Sequence, residues 1–210
     1  MTPVIVIEGP IAAGKTTLVK HLSERLNLTP RYEPVESNPY LDLFYEDPKR
    51  WAFAMQIHLL HWRYASQKEA AYAAAAGRGS IFDRSMPGDR VFCRMHMEAG
   101  NIAEIEWQTY QMAYQVMSCS LVPPSLLIYL DVDPEIALER LRRRGRECEA
   151  GVTLEYLRAL TAGYGRMLHE VQHEAHPWAR GMKVLRVDYN NNMKPDGIDA
   201  LVREALEVRT

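Results

Sequence analysis

Short apolar runs rich in branched side chains recur along the chain. They are Val4–Ile7, Ser80–Phe82, Ser125–Leu130 and Lys183–Val187, each bounded by turn residues or polar positions. A run that is apolar at successive positions, rather than at every second one, is typical of a strand buried on both faces of a parallel sheet. The pattern therefore predicts parallel strands at these places, with a further short strand ahead of Glu33.

Longer segments with helical periodicity and few breakers separate the predicted strands. They are Lys15–Leu26, Trp51–Ala76, Ile102–Ser120, Pro134–Arg144 and Thr153–His173. Strands that alternate with helices indicate a parallel sheet with helices on both faces. We predict a three-layer α/β fold with a mostly parallel sheet of about five strands. The length of 210 residues fits one domain, residues 1–210.

A glycine-containing segment connects the first predicted strand to the first predicted helix. Residues 9–16 read Gly-Pro-Ile-Ala-Ala-Gly-Lys-Thr, which matches the phosphate-binding pattern G-x-x-x-x-G-K-[ST] in its required structural context. Lys15 is expected to reach the β- and γ-phosphates, and Thr16 to bind Mg²⁺. Backbone N–H groups and the helix N-terminus also attract phosphate. The predicted ATP and phosphate contacts of this loop are Gly9, Ala12, Ala13, Gly14, Lys15, Thr16 and Thr17.

Composition excludes some classes of partner. Lys and Arg number 25 against 27 Asp and Glu, so the basic excess of a polynucleotide-binding surface is missing. The three cysteines form no C-x-x-C pair and are read as reduced thiols. No stretch approaches the ~20 apolar residues of a membrane span, and the apolar start lacks a cationic leader region. We expect a cytoplasmic enzyme with no polynucleotide or membrane partner.

Charged residues follow two of the predicted strands. Glu33 precedes a proline, which keeps its backbone extended, and Asp83 and Arg84 follow the strand Ser80–Phe82. Ligands of α/β sheets bind beyond the carboxyl ends of the strands, so these side chains can face a reacting group. Asp83 is a candidate for holding Mg²⁺, and Arg84 for neutralising charge on a transferred phosphoryl group and orienting Glu33. Taken alone, Glu33 can also be a solvated acid, and Asp83 and Arg84 can also be an ion pair at the end of a strand.

Several short motifs in fixed order extend this pattern. They are Tyr32-Glu33-Pro34-Val35, Tyr45-Glu46-Asp47-Pro48-Lys49-Arg50-Trp51, Gln56 with Arg63 two helical turns later, and Asp83-Arg84-Ser85 with Asp89. Together they resemble the deoxyribonucleoside kinase family, which includes deoxycytidine, deoxyguanosine and deoxyadenosine kinases, and the resemblance runs from the phosphate-binding loop to the last strand. It implies a P-loop NTPase fold and transfer of the γ-phosphoryl group of ATP to a deoxynucleoside 5′-hydroxyl.

The resemblance also implies roles for individual residues. Glu33 is then the general base, with Lys15 and Arg84 as further catalytic residues. Gln56 hydrogen-bonds the base, and Arg63 pairs with Asp89. Without the resemblance, Gln56 and Arg63 read as part of a solvated helix face.

An arginine-rich segment matches the lid of these kinases. Residues 140–149 contain R-x-x-x-R-x-R-x-x-E, at the end of a predicted helix. The resemblance implies that Arg140, Arg144 and Arg146 clamp phosphoryl oxygens when a lid of about residues 140–151 closes. It also implies that Glu149 and Tyr45 hold the sugar 3′-hydroxyl.

The choice of base follows from hydrogen-bond polarity. Arg63 is a pure donor, ionised Asp89 a pure acceptor, and the Gln56 amide is both, so together they suit a purine edge and disfavour thymine. Glu36-Ser37-Asn38 further resembles the bacterial deoxyadenosine and deoxyguanosine kinases, where vertebrate relatives often carry tryptophan. We predict a purine deoxynucleoside kinase that rejects thymidine. The sequence leaves deoxycytidine, and the choice between adenine and guanine near Leu59 and Met86, open.

Other hypotheses accompany this one. A nucleoside monophosphate kinase of the thymidylate kinase type is one alternative, although Glu33 would repel a phosphorylated acceptor. An ATP-binding switch without turnover is another. His169-Glu170-Val171-Gln172-His173 spells the zinc-protease pattern H-E-x-x-H, but position 179, where a third histidine of one such class would fall, is alanine. We interpret it as a polar helix face.

Two expectations concern features outside the acceptor site. Family resemblance implies a homodimer formed through the long helices Trp51–Ala76 and Ile102–Ser120. Asp188–Met193 should form the loop over the donor's base.

Overall fold

A five-stranded, fully parallel sheet forms the centre of the computed structural model. The strands are β1 (Val4–Glu8), β2 (Thr29–Arg31), β3 (Ser80–Asp83), β4 (Leu126–Asp131) and β5 (Lys183–Asp188). Their order across the sheet is β2-β3-β1-β4-β5. The structure describes residues 2–33, 38–146, 149–173, 179, 181–191, 197–200 and 202–203.

Seven named helices accompany the sheet in this described part of the chain. They are α1 (Lys15–Leu26), α2 (Leu41–Glu46), α3 (Pro48–Ala75), α4 (Met86–Glu98), α5 (Glu104–Cys119), α6 (Pro134–Arg144) and α7 (Leu154–Gln172). None of the helices in the described ranges is both long enough and apolar enough to cross a lipid bilayer.

Both faces of the sheet are covered. Successive residues of β4 belong to different apolar clusters, because side chains alternate between the faces of a strand. Leu127 and Tyr129 pack with residues of α3, α4, α5 and α7, whereas Leu126 and Ile128 pack with residues of α1 and α6. All residues of β1 are buried, as expected for the central strand. The three-layer α/β prediction is confirmed.

The predicted strands and long helices are present with end shifts of a few residues. α3 begins at Pro48 rather than Trp51, because Asp47 accepts a hydrogen bond from the N–H of Arg50 and Pro48 suits the first helical turn. Helices α2 and α4 were not predicted. α4 had a readable signal: Ser85 is its N-cap, Pro87 lies in its first turn, and Asp89 adds an acid there.

Some predicted features lie outside the described residues. These are Pro34–Ser37 after Glu33, residues 147 and 148 of the expected lid, and residues 192 and 193 of the expected donor-base loop. The parallel arrangement brings the carboxyl ends of the strands to one edge of the sheet, where Glu8, Asp83 and Asp131 end their strands.

Candidate active site

A cavity of about 540 Å³ lies where the phosphate-binding loop, the end of β3 and helices α2, α3 and α4 meet. Its volume is within the ~300–1,000 Å³ range of small-molecule sites. The predicted site residues that line this cavity are Ala12, Lys15, Thr16, Glu33, Tyr45, Gln56, Arg63, Asp83, Arg84, Asp89, Arg144, Arg146 and Glu149. The fold thus brings most of the predicted site residues to one cavity.

The phosphate-binding loop turns sharply between β1 and α1. Gly9 has a φ of 149°, and a Cβ there would lie 2.8 Å from the carbonyl oxygen of Leu130. Ala12 also has a positive φ, 61°. Gly14 precedes α1, and no side chain caps this helix end. The first-turn N–H groups and the helix dipole therefore suit an anionic ligand.

Lys15 is buried inside this loop. Its Nζ donates hydrogen bonds to the carbonyl oxygens of Gly9 at 3.1 Å and Pro10 at 2.7 Å. Burial, followed by repulsion from Arg84, lowers the pKa of Lys15 to about 7. A phosphate group beside Lys15 favours its charged form, because an opposite charge stabilises the ammonium.

Thr16 and Asp83 are joined by a hydrogen bond from Thr16 Oγ1 to Asp83 Oδ2. Thr16 lies in the first turn of α1, and Asp83 ends β3, the neighbour of β1 in the sheet. A hydroxyl and a carboxylate oxygen are thereby held together at the phosphate-binding loop. Mg²⁺ binds hard oxygen ligands of this kind, together with phosphate oxygens and water.

Glu33 is held between two arginines. Arg63 donates to its Oε1, and Arg84 Nε donates to its Oε2 at 3.1 Å. The Glu33 side chain keeps 19% exposure, so it is the most accessible member of this group. Burial opposes ionisation of Glu33, but Arg63, Arg84 and Lys15 outweigh it and lower its pKa. Glu33 is therefore ionised at neutral pH.

The predicted ion pair between Arg63 and Asp89 is present in the structure. Asp89 is buried, and its Oδ2 accepts a hydrogen bond from the hydroxyl of Tyr110 at 2.7 Å. Burial raises the pKa of Asp89 to about 6, against the opposing effects of Arg63 and Tyr110. Gln56 is buried in the same wall of the cavity, and among the described residues its Oε1 has no hydrogen-bond partner.

Arg84 combines an unusual backbone with several contacts. Its φ is 74°, which costs about 1–3 kcal/mol for a bulky residue and persists only where the surroundings enforce it. Its Nη1 donates to the Tyr164 hydroxyl at 2.7 Å, and its guanidinium lies 4.7 Å from the ring centroid of Phe92. The side chain thereby spans from Tyr164 to Glu33.

The arginines of the expected lid have different surroundings. Arg144 donates to Glu149, and Arg146 Nη1 lies 3.6 Å from Glu149 Oε1. Arg140 instead donates to the carbonyl oxygens of Tyr189 at 2.8 Å and Asn190 at 2.9 Å, and it is absent from the described lining of the cavity. A phosphate contact from Arg140 stays a prediction.

Sequence reasoning missed buried residues behind the cavity. Glu8, Tyr110 and Tyr164 hydrogen-bond site residues or their neighbours, although none of the three was nominated. Glu8 carried a signal, an acid that ends an apolar strand directly before the first glycine of the loop. The two tyrosines carried none, because aromatic residues at helical spacing are usually core.

The side chains of the H-E-x-x-H segment make contacts of other kinds in the structure. The rings of His169 and His173 stack with centroids 4.0 Å apart, and Glu170 pairs with Arg90 at 2.7 Å. The described part of the chain holds no cluster of three or more His, Cys, Asp or Glu side chains placed to bind a metal.

The comparisons with known proteins agree with this geometry. Residues 5–207 match the model of the deoxynucleoside kinase family. The chain belongs to that family. This deoxynucleoside kinase is accordingly an enzyme that phosphorylates deoxyribonucleosides with a nucleotide as phosphoryl donor. The monophosphate kinase and the non-catalytic switch are not favoured.

Individual relatives have more specific names. This deoxynucleoside kinase is 36% identical over 203 residues to a deoxyadenosine kinase of Dictyostelium discoideum, covering 97% of this chain and 79% of the relative. It is 36% identical over 164 residues to a deoxyadenosine/deoxycytidine kinase of Bacillus subtilis (strain 168), covering 77% and 74%. A structure of deoxyadenosine kinase from M. mycoides with bound dATP superposes with a TM-score of 0.81 at 27% identity, covering 96% and 98%.

Proposed function

We propose that this enzyme transfers the γ-phosphoryl group of ATP to the 5′-hydroxyl of a purine deoxyribonucleoside, deoxyadenosine or deoxyguanosine. The observation that carries the purine assignment is the buried set of donors and acceptors at Gln56, Arg63 and Asp89 in one wall of the cavity. Relatives named deoxyadenosine and deoxyguanosine kinase support the same assignment.

Base recognition follows from which groups can donate and which can accept. A side-chain amide can pair with the 6-amino group and N7 of adenine, and a guanidinium can donate to O6 and N7 of guanine. The Gln56 Oε1, which has no hydrogen-bond partner in the described part of the chain, is an acceptor that a purine amino group can satisfy. Thymine brings a methyl group and a carbonyl to this wall, which leaves a buried polar group unpaired at about 1–3 kcal/mol.

Proton removal from the 5′-hydroxyl is assigned to Glu33. The carboxylate is ionised, held from two sides by Arg63 and Arg84, and still 19% exposed toward the cavity. An ionised acid can accept the proton as the phosphoryl group is transferred. Lys15 and Arg84 supply positive charge beside it, and the transfer is direct and in line, with no covalent enzyme intermediate.

The lid and sugar contacts complete the assignment. Arg144 and Arg146 line the cavity beside Glu149, on the segment proposed as a lid at about residues 140–151. Closure lets the arginines contact phosphoryl oxygens while Glu149 and Tyr45, another lining residue, bind the sugar 3′-hydroxyl. Arg140 is assigned to the donor side because it contacts residues 189 and 190.

Mg²⁺ is the proposed cofactor. Thr16 and Asp83 fit the ion, because their oxygens are in contact at the phosphate-binding loop. When bound, Mg²⁺ supplies charge that stabilises the phosphate oxygens.

A homodimer through α3 and α5 is also proposed. Ile105, Met112 and Val116 lie on one exposed face of α5, and Tyr72 of α3 is exposed as well. Helix α5 packs against α3, so these apolar side chains belong to one helical layer.

Val116→Glu should convert a dimer to a monomer in sedimentation experiments. Lys20→Glu, at an exposed position of α1 on the other face of the sheet, should leave the dimer unchanged. A monomeric unsubstituted protein would contradict the proposal.

One assay tests the assignment of function. The purified enzyme is incubated with ATP, Mg²⁺ and, separately, deoxyadenosine, deoxyguanosine, deoxycytidine, thymidine and their monophosphates. We expect the highest kcat/KM for a purine deoxynucleoside. A kcat/KM for thymidine equal to or above both purine values would refute the base assignment, and turnover of monophosphates alone would refute the acceptor.

A further inference from the structure

A fully buried carboxylate links the phosphate-binding loop to Arg84. Glu8 ends β1 directly before the loop and has 0% exposure. Its Oε1 accepts hydrogen bonds from the Ser85 N–H at 2.7 Å and the Ser85 hydroxyl at 2.6 Å. Its Oε2 accepts from the Tyr164 hydroxyl at 3.0 Å, and that hydroxyl accepts from Arg84 at 2.7 Å. A chain of hydrogen bonds thus runs from Glu8 through Tyr164 and Arg84 to Glu33.

The groups around Glu8 donate hydrogen bonds to it and so stabilise its carboxylate form. Arg84 and the Ser85 N–H can only donate. Because the Tyr164 oxygen already accepts from Arg84, its own proton points to Glu8. Burial raises the pKa of Glu8, and the positive charge of Arg84 acts against that rise.

The same carboxylate helps to hold the backbone of Arg84 in its left-handed conformation. The Arg84 N–H donates to the carbonyl of Ile7 at 3.0 Å, and the next N–H, that of Ser85, donates to Glu8. Both acceptors come from the end of β1. A positive φ at a long side chain requires such constraints on either side.

Helix α4 packs closely against the Glu8 carboxylate and restricts its position. A Cβ at Gly88, in the first turn of α4, would overlap the carboxylate of Glu8. Ser85, whose hydroxyl donates to Glu8, is the N-cap of the same helix. Glu8 therefore sits at the junction of β1, α4 and α7.

We propose that Glu8 is a positioning residue for phosphoryl transfer, which acts through Tyr164 and Ser85 to hold Arg84 where its guanidinium reaches Glu33. The proposal rests on the proposed role of Arg84 in the transfer. Neither Glu8 nor Tyr164 is among the described residues that line the cavity, so neither contacts the substrates directly. Their removal should lower kcat and leave both KM values nearly unchanged.

Three variants test this proposal. For each of them, kcat is calculated per active site and measured at a temperature at which the protein is folded. Tyr164→Phe removes only the hydroxyl. Glu8→Gln keeps the volume of the side chain, but its amide nitrogen deprives one of the surrounding donors of an acceptor. We expect both to lower kcat about 10- to 100-fold, as for a misplaced catalytic group. Tyr129→Phe is the matched control, a buried tyrosine with its ring centroid 5.6 Å from that of Tyr164, and should retain wild-type kcat.

A double-mutant cycle separates positioning from general destabilisation. In an Arg84→Ala background, Tyr164→Phe should change kcat less than about two-fold, because the residue that it positions is gone. An equal loss in both backgrounds, or unchanged kcat in Tyr164→Phe and Glu8→Gln, would overturn the proposal. If Glu8→Gln does not fold, the Tyr164→Phe cycle alone decides. Failure of the wild-type enzyme to phosphorylate deoxynucleosides would instead refute the proposed function.

Discussion

Arg63 is hydrogen-bonded to Glu33 as well as to Asp89. The side chain assigned to base recognition therefore also holds the side chain assigned to proton removal. Such a link couples the two tasks, because the loss of Arg63 deprives both Asp89 and Glu33 of a hydrogen-bond donor. Variants of these residues are therefore expected to differ in kcat and in their choice of substrate.

Replacement of the proposed general base should affect chemistry more than binding. Glu33→Gln keeps the size of the side chain but removes the proton acceptor, so kcat should fall by roughly 10²–10⁴. The dissociation constant of the deoxynucleoside, measured by calorimetry, should change much less. Glu69→Gln, an exposed acid paired with Arg31, is the matched control and should keep full turnover. Near wild-type turnover in Glu33→Gln would remove Glu33 from this role.

Variants of Arg63 and Asp89 should differ from each other. Asp89→Asn alters only the base end. The ratio of kcat/KM for deoxyadenosine to that for thymidine should therefore fall roughly 5- to 150-fold, which corresponds to about 1–3 kcal/mol of discrimination. Arg63→Met should also lower kcat, since Glu33 loses one of its two arginines. Asp89→Ala combined with Arg63→Met should admit thymidine while weakening purine use. If the two single variants show the same kcat, the coupling through Arg63 is wrong.

Nucleoside binding should weaken in mild acid. The pKa of Asp89 is raised from 3.8 to about 6, so below that pH the residue is protonated and no longer offers Arg63 a carboxylate. The charged or polar groups that act on it are Arg63, Tyr110, Glu33 and Arg84. If only the ionised form binds, the dissociation constant of deoxyadenosine without ATP should rise about ten-fold between pH 7 and pH 5. Asp89→Asn should flatten this dependence; an unchanged pH profile in that variant would assign it to another group.

The lid arginine should contribute mainly in the transition state. Arg144 pairs with Glu149 and lines the cavity, and its proposed role is to contact the charge that develops on the transferred phosphoryl group. Arg144→Ala should lower kcat about 10²-fold with a much smaller change in the KM for ATP. Its exposed neighbour Arg143, which is outside the described cavity lining, serves as the control. Equal effects on kcat and KM would indicate ordinary ground-state binding.

Short-range signals in the sequence were sufficient for the fold and for the phosphate-binding loop. The apolar runs gave the strands, and the pattern from Gly9 to Thr16 gave the loop, because both depend on residues that are close together in the chain. The edge of the sheet where Glu33 and Asp83 lie also followed, since parallel strands bring their carboxyl ends together. The pairing of Arg63 with Asp89 came only from family resemblance.

Only the tertiary structure decided which buried groups support these residues. The bridge from Arg63 to Glu33 spans 30 positions, and that from Tyr164 to Glu8 spans 156. Such contacts depend on how α3, α4 and α7 pack against β1, and no local pattern encodes that packing. A buried acid such as Glu8 is stable only where donors from several elements converge on it, so its role could be recognised only once those elements were in place.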